Sequence, residues 1–283
     1  MESVVITRDW VQSRLPERDP AAHQGNFGRV LLLCGSVGFT GAAALAARAA
    51  LRTGSGLIFV GVPERVYPIL AAKLDEPMVF PLPDDGCGRL SALGAAEIAW
   101  RLRDCDACLV GPGLGRSPEI LEIVRAVLAA SPCPVVLDAD GLNALDGHID
   151  VLRGAARPVV LTPHEGEFAR LGGDLSPGRR AAAEAMARDT GAVVLLKGRG
   201  TVVTDGSRTY VNPTGNPGMA TGGSGDVLSG ILTSLLGQGL APLEAAAAAA
   251  YVHGAAGDDC AARLGQYGMT PGDMVEALPR QLK

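Results

Sequence analysis

The sequence predicts a three-layer α/β/α domain built on a mostly parallel, doubly wound sheet with an antiparallel hairpin at one edge. Three observations carry this reading. Short unbroken runs of Val, Ile and Leu recur along the 283 residues, Ala-rich stretches of helical period separate them, and one segment alone reads as a hairpin. Continuous apolar runs suit strands covered on both faces, and regular β-α alternation produces a parallel sheet.

The runs VLLLC (30–34), GLIFVGVP (56–63), ACLVGPG (107–113), PVVLDAD (134–140), PVVLTP (158–163) and AVVLLKG (192–198) are the predicted buried strands. Helices are predicted at GAAALAARAALRTG, SPEILEIVRAVLAAS and GRRAAAEAMARDTG, which lie between strands. TVVTDGSRTYVNPTG (201–215) places two strand-forming runs on either side of the turn dipeptide Asp205-Gly206, the signature of a hairpin. Beyond it, Gly225 opens a helical region. The alanine-dense LEAAAAAAYVHGAAGDDCAARLG that follows predicts a closely packed helix, because Leu243, Tyr251 and Val252 accompany alanines that favour helix. With no Ser- or Pro-rich linker and no repeat, one domain over 1–283 is expected.

Composition narrows the function. Hydrophobic residues reach 47% and charged residues 19%, so the chain can fill a core and is not of disordered type. The net charge of −5 gives no general attraction for nucleic acid or an anionic membrane, so a phosphate-bearing ligand would need local donors. The charged start MESVVITRDWVQSRLPERD does not read as a signal peptide, and no run of apolar residues is long enough to cross a bilayer, so a cytoplasmic location is expected. The single C-x-x-C, Cys105 to Cys108, has no second pair or nearby His to complete a zinc site, and the six cysteines are read as reduced thiols.

The most informative segment is NPTGNPGMATGGSGD, residues 212–226, followed at once by the helical run VLSGILTSLLG. Five glycines ahead of a helix let backbone N–H groups converge where the helix dipole is positive, which makes an anion hole. Fixed donors of that kind stabilise charge developing on a phosphoryl group in transfer. Asp226, at the mouth of the hole, can take the proton of an attacking hydroxyl. Taken alone, Gly-Gly-Ser-Gly-Asp could equally make a turn and a helix cap. It is neither the P-loop nor the dinucleotide glycine pattern.

That string resembles the signature of the NAD(P)H-hydrate dehydratases, a branch of the ribokinase-like superfamily. VLLLCGSVGFTGAAALAARAALRTGSGL (30–57), GPGLG (111–115), DADGLNAL (138–145), TPHEGEFARL (162–171) and LLKGRGTVV (195–203) are similar to that family in order and spacing, over essentially the whole chain. The resemblance implies a ribokinase-like fold and nucleotide-dependent dehydration of the S epimer of hydrated NADH or NADPH, with ADP going to AMP and phosphate. It implies Asp226 as catalytic base in contact with the hydrated ring, and Gly223, Ser224 and Gly225 as the anion hole. Lys197, Gly198, Arg199, Gly200 and Thr201, together with Gly225, match the nucleotide-binding positions, and Ala42, Gly113, His164 and Asp226 match positions that contact the hydrated dinucleotide. Mg²⁺ is the expected metal, with Glu165 or Glu167 as candidate ligands or merely solvated carboxylates, and Glu167 favoured. Asp138 and Asp140 either orient substrate or metal or cap a turn. ADP is favoured over ATP as donor, and a homotetramer is implied.

An epimerase domain, common in such proteins, is not expected, since the first strand begins within about 30 residues. The nearest alternative is a small-alcohol kinase of the hydroxyethylthiazole or hydroxymethylpyrimidine type, which would share the anion hole. A non-catalytic nucleotide-binding module is a third reading. Asp226 counts against it, because a carboxylate facing phosphates repels them and gains a mere binder nothing.

Overall fold

The computed structural model describes residues 3–283; Met1 and Glu2 lie outside the described residues. Among these, ten strands form one sheet: β1 (Val4–Val5), β2 (Arg29–Leu33), β3 (Leu57–Pro63), β4 (Met78–Leu82), β5 (Ala107–Val110), β6 (Val135–Leu137), β7 (Val159–Leu161), β8 (Val193–Leu196), β9 (Val202–Thr204) and β10 (Thr209–Val211). Their order is β1-β10-β9-β8-β7-β6-β5-β2-β3-β4. Only β9 runs against the rest, paired antiparallel with β8 and β10.

Each of the six predicted buried runs forms a strand, as does the hairpin at Asp205-Gly206. Two strands were not marked. β1 pairs parallel with β10 and occupies the edge that the sequence assigns to the hairpin, which therefore sits one strand in. Two residues of strand are too short to leave a period. β4 closes the opposite edge, and it contains Pro81, which reads against a strand but is tolerated where one side of the ladder is open.

Helices cover both faces: α1 (Arg8–Gln12), α2 (Thr40–Thr53), α3 (Tyr67–Lys73), α4 (Ala95–Leu102), α5 (Pro118–Ala130), α6 (Asp140–Asn143), α7 (Glu165–Arg170), α8 (Arg179–Thr190), α9 (Ser224–Gly237), α10 (Pro242–Leu264) and α11 (Pro271–Gln281). Side chains alternate across the strands, so Val30 and Leu32 join one core with α2, α9, α10 and α11. Leu31 and Leu33 join a second core with α4, α5 and α8. In the first core small residues set the spacing. A Cβ on Gly230 of α9 would lie 2.3 Å from the Ala46 carbonyl oxygen of α2, so these helices meet backbone to backbone. The alanines 245–250 of α10 are all buried, as a thin helix wedged into that core requires.

The sheet reverses at β2. The chain runs from β2 out through β3 to β4, then returns to β5 on the other side of β2 and continues outward to β8. Between two such strands the loops diverge to opposite faces and leave a crevice past the carboxyl ends, where open α/β sheets bind ligands. The β2 loop and the β5 loop meet there. Gly35 N–H donates to the Pro112 carbonyl at 2.8 Å, and the Ser36 hydroxyl donates to the Gly113 carbonyl at 2.8 Å.

Candidate functional site

A cleft of about 1120 Å³ opens beside this crevice. It is walled by the β8–β9 turn (Lys197 to Thr201), the glycine-rich loop from Asn212 to Gly225, and one side of α10. The predicted residues His164, Lys197, Gly198, Arg199, Gly200, Thr201, Ser224 and Gly225 all face it. Ala42 and Gly113 stand apart, at the sheet's reversal. A Cβ on Gly113 would come within 2.9 Å of the Cβ atoms of Ala42 and Phe39, and the Phe39 ring is exposed beside them.

The first turn of α9 lies between these two places. Gly223 is its N-cap with φ of 98°, a left-handed conformation that only glycine adopts without strain, and a Cβ there would strike Leu45 of α2. Ser224 and Gly225 turn towards the cleft and Asp226 follows in the helix's first turn. Burial, together with the neighbouring Asp138 and Asp140 carboxylates, pushes the Asp226 carboxyl up to about 7, against the pull of Lys197. A carboxyl in this range changes hands with a proton readily near neutrality, which suits a general base. Burial first, then the charges of Asp226 and Asp138, push the thiol of Cys34, just past β2, well up.

Asp138 is not free to act. Its Oδ1 accepts from Lys197 Nζ at 2.9 Å and from the Thr162 hydroxyl at 2.7 Å, and its Oδ2 accepts from the Ser229 hydroxyl at 2.6 Å. Burial works to raise this carboxyl, but Lys197 and the two hydroxyls outweigh it and hold it below the usual range. Lys197 is likewise desolvated, yet Asp138 and Glu167 keep its ammonium charged. Asp140 accepts from Gly115 N–H at 2.8 Å and so fastens the β5 loop. Between them Ala139 has φ of 49° and ψ of −114°, the only non-glycine residue with positive φ among those described, in a tight turn closed by Gly141 N–H on the Asp138 carbonyl at 2.9 Å.

Glu167, the candidate metal ligand, caps a helix start. Its Oε2 accepts from His164 N–H at 2.8 Å and lies 3.5 Å from Lys197 Nζ, completing a capping box in which His164 Nδ1 accepts from Gly166 N–H and Glu167 N–H. One carboxylate oxygen, Oε2, thus serves both the helix start and Lys197. Among the described residues no group of three or more His, Cys, Asp or Glu is arranged to hold a metal. His164, with Nδ1 an acceptor, carries its proton on Nε2, and that side chain is 54% exposed.

Several contributors escaped the sequence reading. α10 fastens the glycine-rich loop: Asn212 Nδ2 donates to the Ala250 carbonyl at 2.9 Å, and Asp258 accepts from Gly215 N–H and Asn216 Nδ2, both at 2.9 Å. His253, on the same helix, lines the cleft, and its Nε2 donates to the Ser224 carbonyl at 2.9 Å. Burial pushes His253 down to about 4, so the ring is a neutral donor. A lone histidine in a run of alanines was the available signal.

A sequence profile of the NAD(P)H-hydrate dehydratases matches residues 30–280. The chain is 47% identical over 285 residues to the bifunctional NAD(P)H-hydrate repair enzyme of Moorella thermoacetica, covering 99% of this chain and 54% of that protein. It thus spans about half the length of that relative. To the ADP-dependent (S)-NAD(P)H-hydrate dehydratase of Cenarchaeum symbiosum it is 34% identical over 290 residues, covering 100% of this chain and 98% of the other. The structure of the ADP/ATP-dependent NAD(P)H-hydrate dehydratase of Bacillus subtilis, co-crystallised with ATP/Mg²⁺, superposes with a TM-score of 0.82 at 31% identity, covering 99% of this chain and 98% of that one. A half-buried carboxyl beside a glycine-rich helix start, a lysine-bearing turn across the cleft and a match over nearly the whole chain all agree: this chain belongs to the NAD(P)H-hydrate dehydratase family.

Proposed function

We propose that the chain is an ADP- or ATP-dependent (S)-NAD(P)H-hydrate dehydratase that restores hydrated NADH or NADPH to the intact cofactor, with ADP the favoured donor. The observation that carries this reading is Asp226, its carboxyl raised to about 7 in the first turn of α9, directly after Ser224 and Gly225, which line the cleft. In this scheme the nucleotide lies along Lys197 to Thr201 with its terminal phosphate at Gly223, Ser224 and Gly225. The hydrated ring lies against Ala42, Gly113 and His164.

Asp226 takes the proton of the ring hydroxyl as its oxygen attacks the terminal phosphorus. One P–O bond forms and the bond to the leaving nucleotide breaks, so ADP departs as AMP. Hydroxide is a poor leaving group, whereas the new phosphate ester is a good one. The ring nitrogen's lone pair expels phosphate, and loss of a proton from the adjacent carbon regenerates the dihydronicotinamide. The anion hole contributes by donors already fixed in place, and one such donor is worth about 100- to 1000-fold in rate elsewhere.

A cytoplasmic location and a homotetramer belong to the same proposal. The first follows from where hydrated NADH and ADP arise. The second is supported by exposed apolar side chains such as Leu93 and Trp100 beside and on α4. Incubating the protein with hydrated NADH, Mg²⁺ and ADP or ATP, and following the return of dihydronicotinamide absorbance, tests the activity. Consumption of the S epimer with release of AMP supports the proposal. A stable phosphorylated alcohol formed from a vitamin-precursor substrate, with hydrated NADH untouched, would replace it with the kinase reading.

A further inference from the structure

We infer that Arg179 is the positioning residue that aims the backbone donors of the Lys197–Thr201 turn at the nucleotide's phosphates, an inference that rests on the nucleotide-binding part of the function proposed above. Arg179 opens α8, behind the turn. Its Nη1 donates to the Arg199 carbonyl at 2.6 Å, and its Nη2 donates to the carbonyls of Leu196 at 3.1 Å and Lys197 at 2.9 Å. One guanidinium thus gathers three carbonyl oxygens from four consecutive residues.

A trans peptide points its N–H opposite to its C=O. Turning the Lys197 carbonyl to Arg179 therefore turns Gly198 N–H away from it, and turning the Arg199 carbonyl does the same to Gly200 N–H. Both glycines line the cleft, and among the described residues neither N–H has a protein acceptor. The third peptide is the exception that fixes the arrangement: its N–H, on Lys197, donates to the Pro163 carbonyl at 2.8 Å and ties the turn to the end of β7. The Gly198 carbonyl is taken by the Thr201 hydroxyl at 2.9 Å, which closes the turn from the other side. Gly198 and Gly200 thus keep N–H donors free in a cleft that Lys197 also lines, a receptor for anionic oxygen.

The fit between Arg179 and the turn is close. A Cβ on Gly198 would lie 2.6 Å from Nη2, so the guanidinium fills the space a side chain would need. The Arg179 Nε is buried without a hydrogen-bond partner. It lies 3.2 Å from Glu165 Oε1, an ion-pair distance at which the N–H does not aim at the oxygen, so the two outer nitrogens, each on the turn, determine where the group sits. A lysine offers one nitrogen in place of this planar fork and cannot span the same three acceptors. Arg180, by contrast, pairs with Glu184 along the surface of its own helix.

The experiment measures ADP and ATP affinity by calorimetry on the full chain, with no hydrated cofactor present. Mis-aiming the Gly198 and Gly200 N–H donors away from the phosphates predicts about 10- to 100-fold weaker binding of both nucleotides by Arg179→Ala. Arg179→Lys should recover part of this, and millimolar guanidinium should restore binding to Arg179→Ala and not alter wild type. In turnover the loss should appear in the KM for nucleotide, with the KM for hydrated NADH unchanged. Arg188→Ala, on the same helix, loses a contact to the Gly206 carbonyl of the hairpin turn and none to the Lys197–Thr201 turn; it is the folding control and should bind as wild type. Folded Arg179→Ala that binds nucleotide normally, or that guanidinium cannot rescue, would overturn the inference. Wild type that binds neither nucleotide overturns it together with the proposed function, whereas wild type that binds nucleotide and repairs nothing overturns only the latter.

Discussion

Replacing Asp226 by Asn removes a charge and a base while keeping the side chain's shape, and the structure fixes the expected size and sign of both effects. The wild-type carboxyl, raised from 3.8 to about 7, is protonated and idle below that value. The kcat/KM of wild type should therefore climb about tenfold per pH unit up to about pH 7 and then level, and the Asn variant should lose about 100- to 10,000-fold at the plateau. Stability moves the other way. A carboxyl whose folded pKa lies above its unfolded value favours folding below the unfolded value and loses that contribution as pH rises through the folded one. At 1.36 kcal/mol per unit the ceiling is about 4 kcal/mol, and solvent at a half-buried group reduces it to about 2 kcal/mol. Asp226→Asn should then melt about 4 °C above wild type at about pH 8, with the gap closing by about pH 4. Thermal melts and pH–rate profiles on both proteins provide the check. An Asn variant less stable than wild type in alkaline buffer, or a flat wild-type profile between about pH 6 and 8, would refute the placement of Asp226 as a desolvated base.

Other perturbations read other parts of the site. Lys197→Met leaves the buried Asp138 carboxylate without its cation and should cost about 3 kcal/mol, read as a melting point lowered by about 6 °C; Lys197→Met with Asp138→Asn should regain much of it, and a double variant no better than the single would refute the pairing. Ala139→Gly relieves a backbone strain of about 1–3 kcal/mol at an entropic cost of about 0.5–1 kcal/mol, so urea denaturation should show a small net gain in stability. His253, lowered from 6.5 to about 4 by burial, contributes stability that is present above about 6.5 and lost as pH falls through about 4; His253→Gln should flatten the acid limb of the stability curve and weaken nucleotide binding by freeing the Ser224 carbonyl.

The sheet was legible because each central strand is buried on both faces, and that demand leaves continuous apolar runs such as residues 30–34 and 192–198. Edges leave weaker marks. β1 contributes two half-solvated valines, and β4 carries a proline that only an edge tolerates, so neither has a pattern of its own. The glycine-rich loop ahead of α9 was legible for a related reason: the proposed anion hole needs several small residues in succession, and the succession is visible in the sequence. Arg179, His253 and Ser229 were not, because each acts by meeting the backbone or side chain of a residue distant in sequence, and such a partnership has no spacing to read. Glu167 was ambiguous in another way. Its setting in TPHEGEF suits either a metal ligand or the third helical position of a capping box, and the fold adds the cap by bringing His164 N–H and Lys197 to its Oε2. The opposed pH responses of Asp226 and His253 follow from one cause, desolvation around the start of α9, acting on an acid and on a base. Their slopes partly cancel in the wild-type stability curve between about pH 4 and 7, so each group's contribution emerges only when the other has been removed.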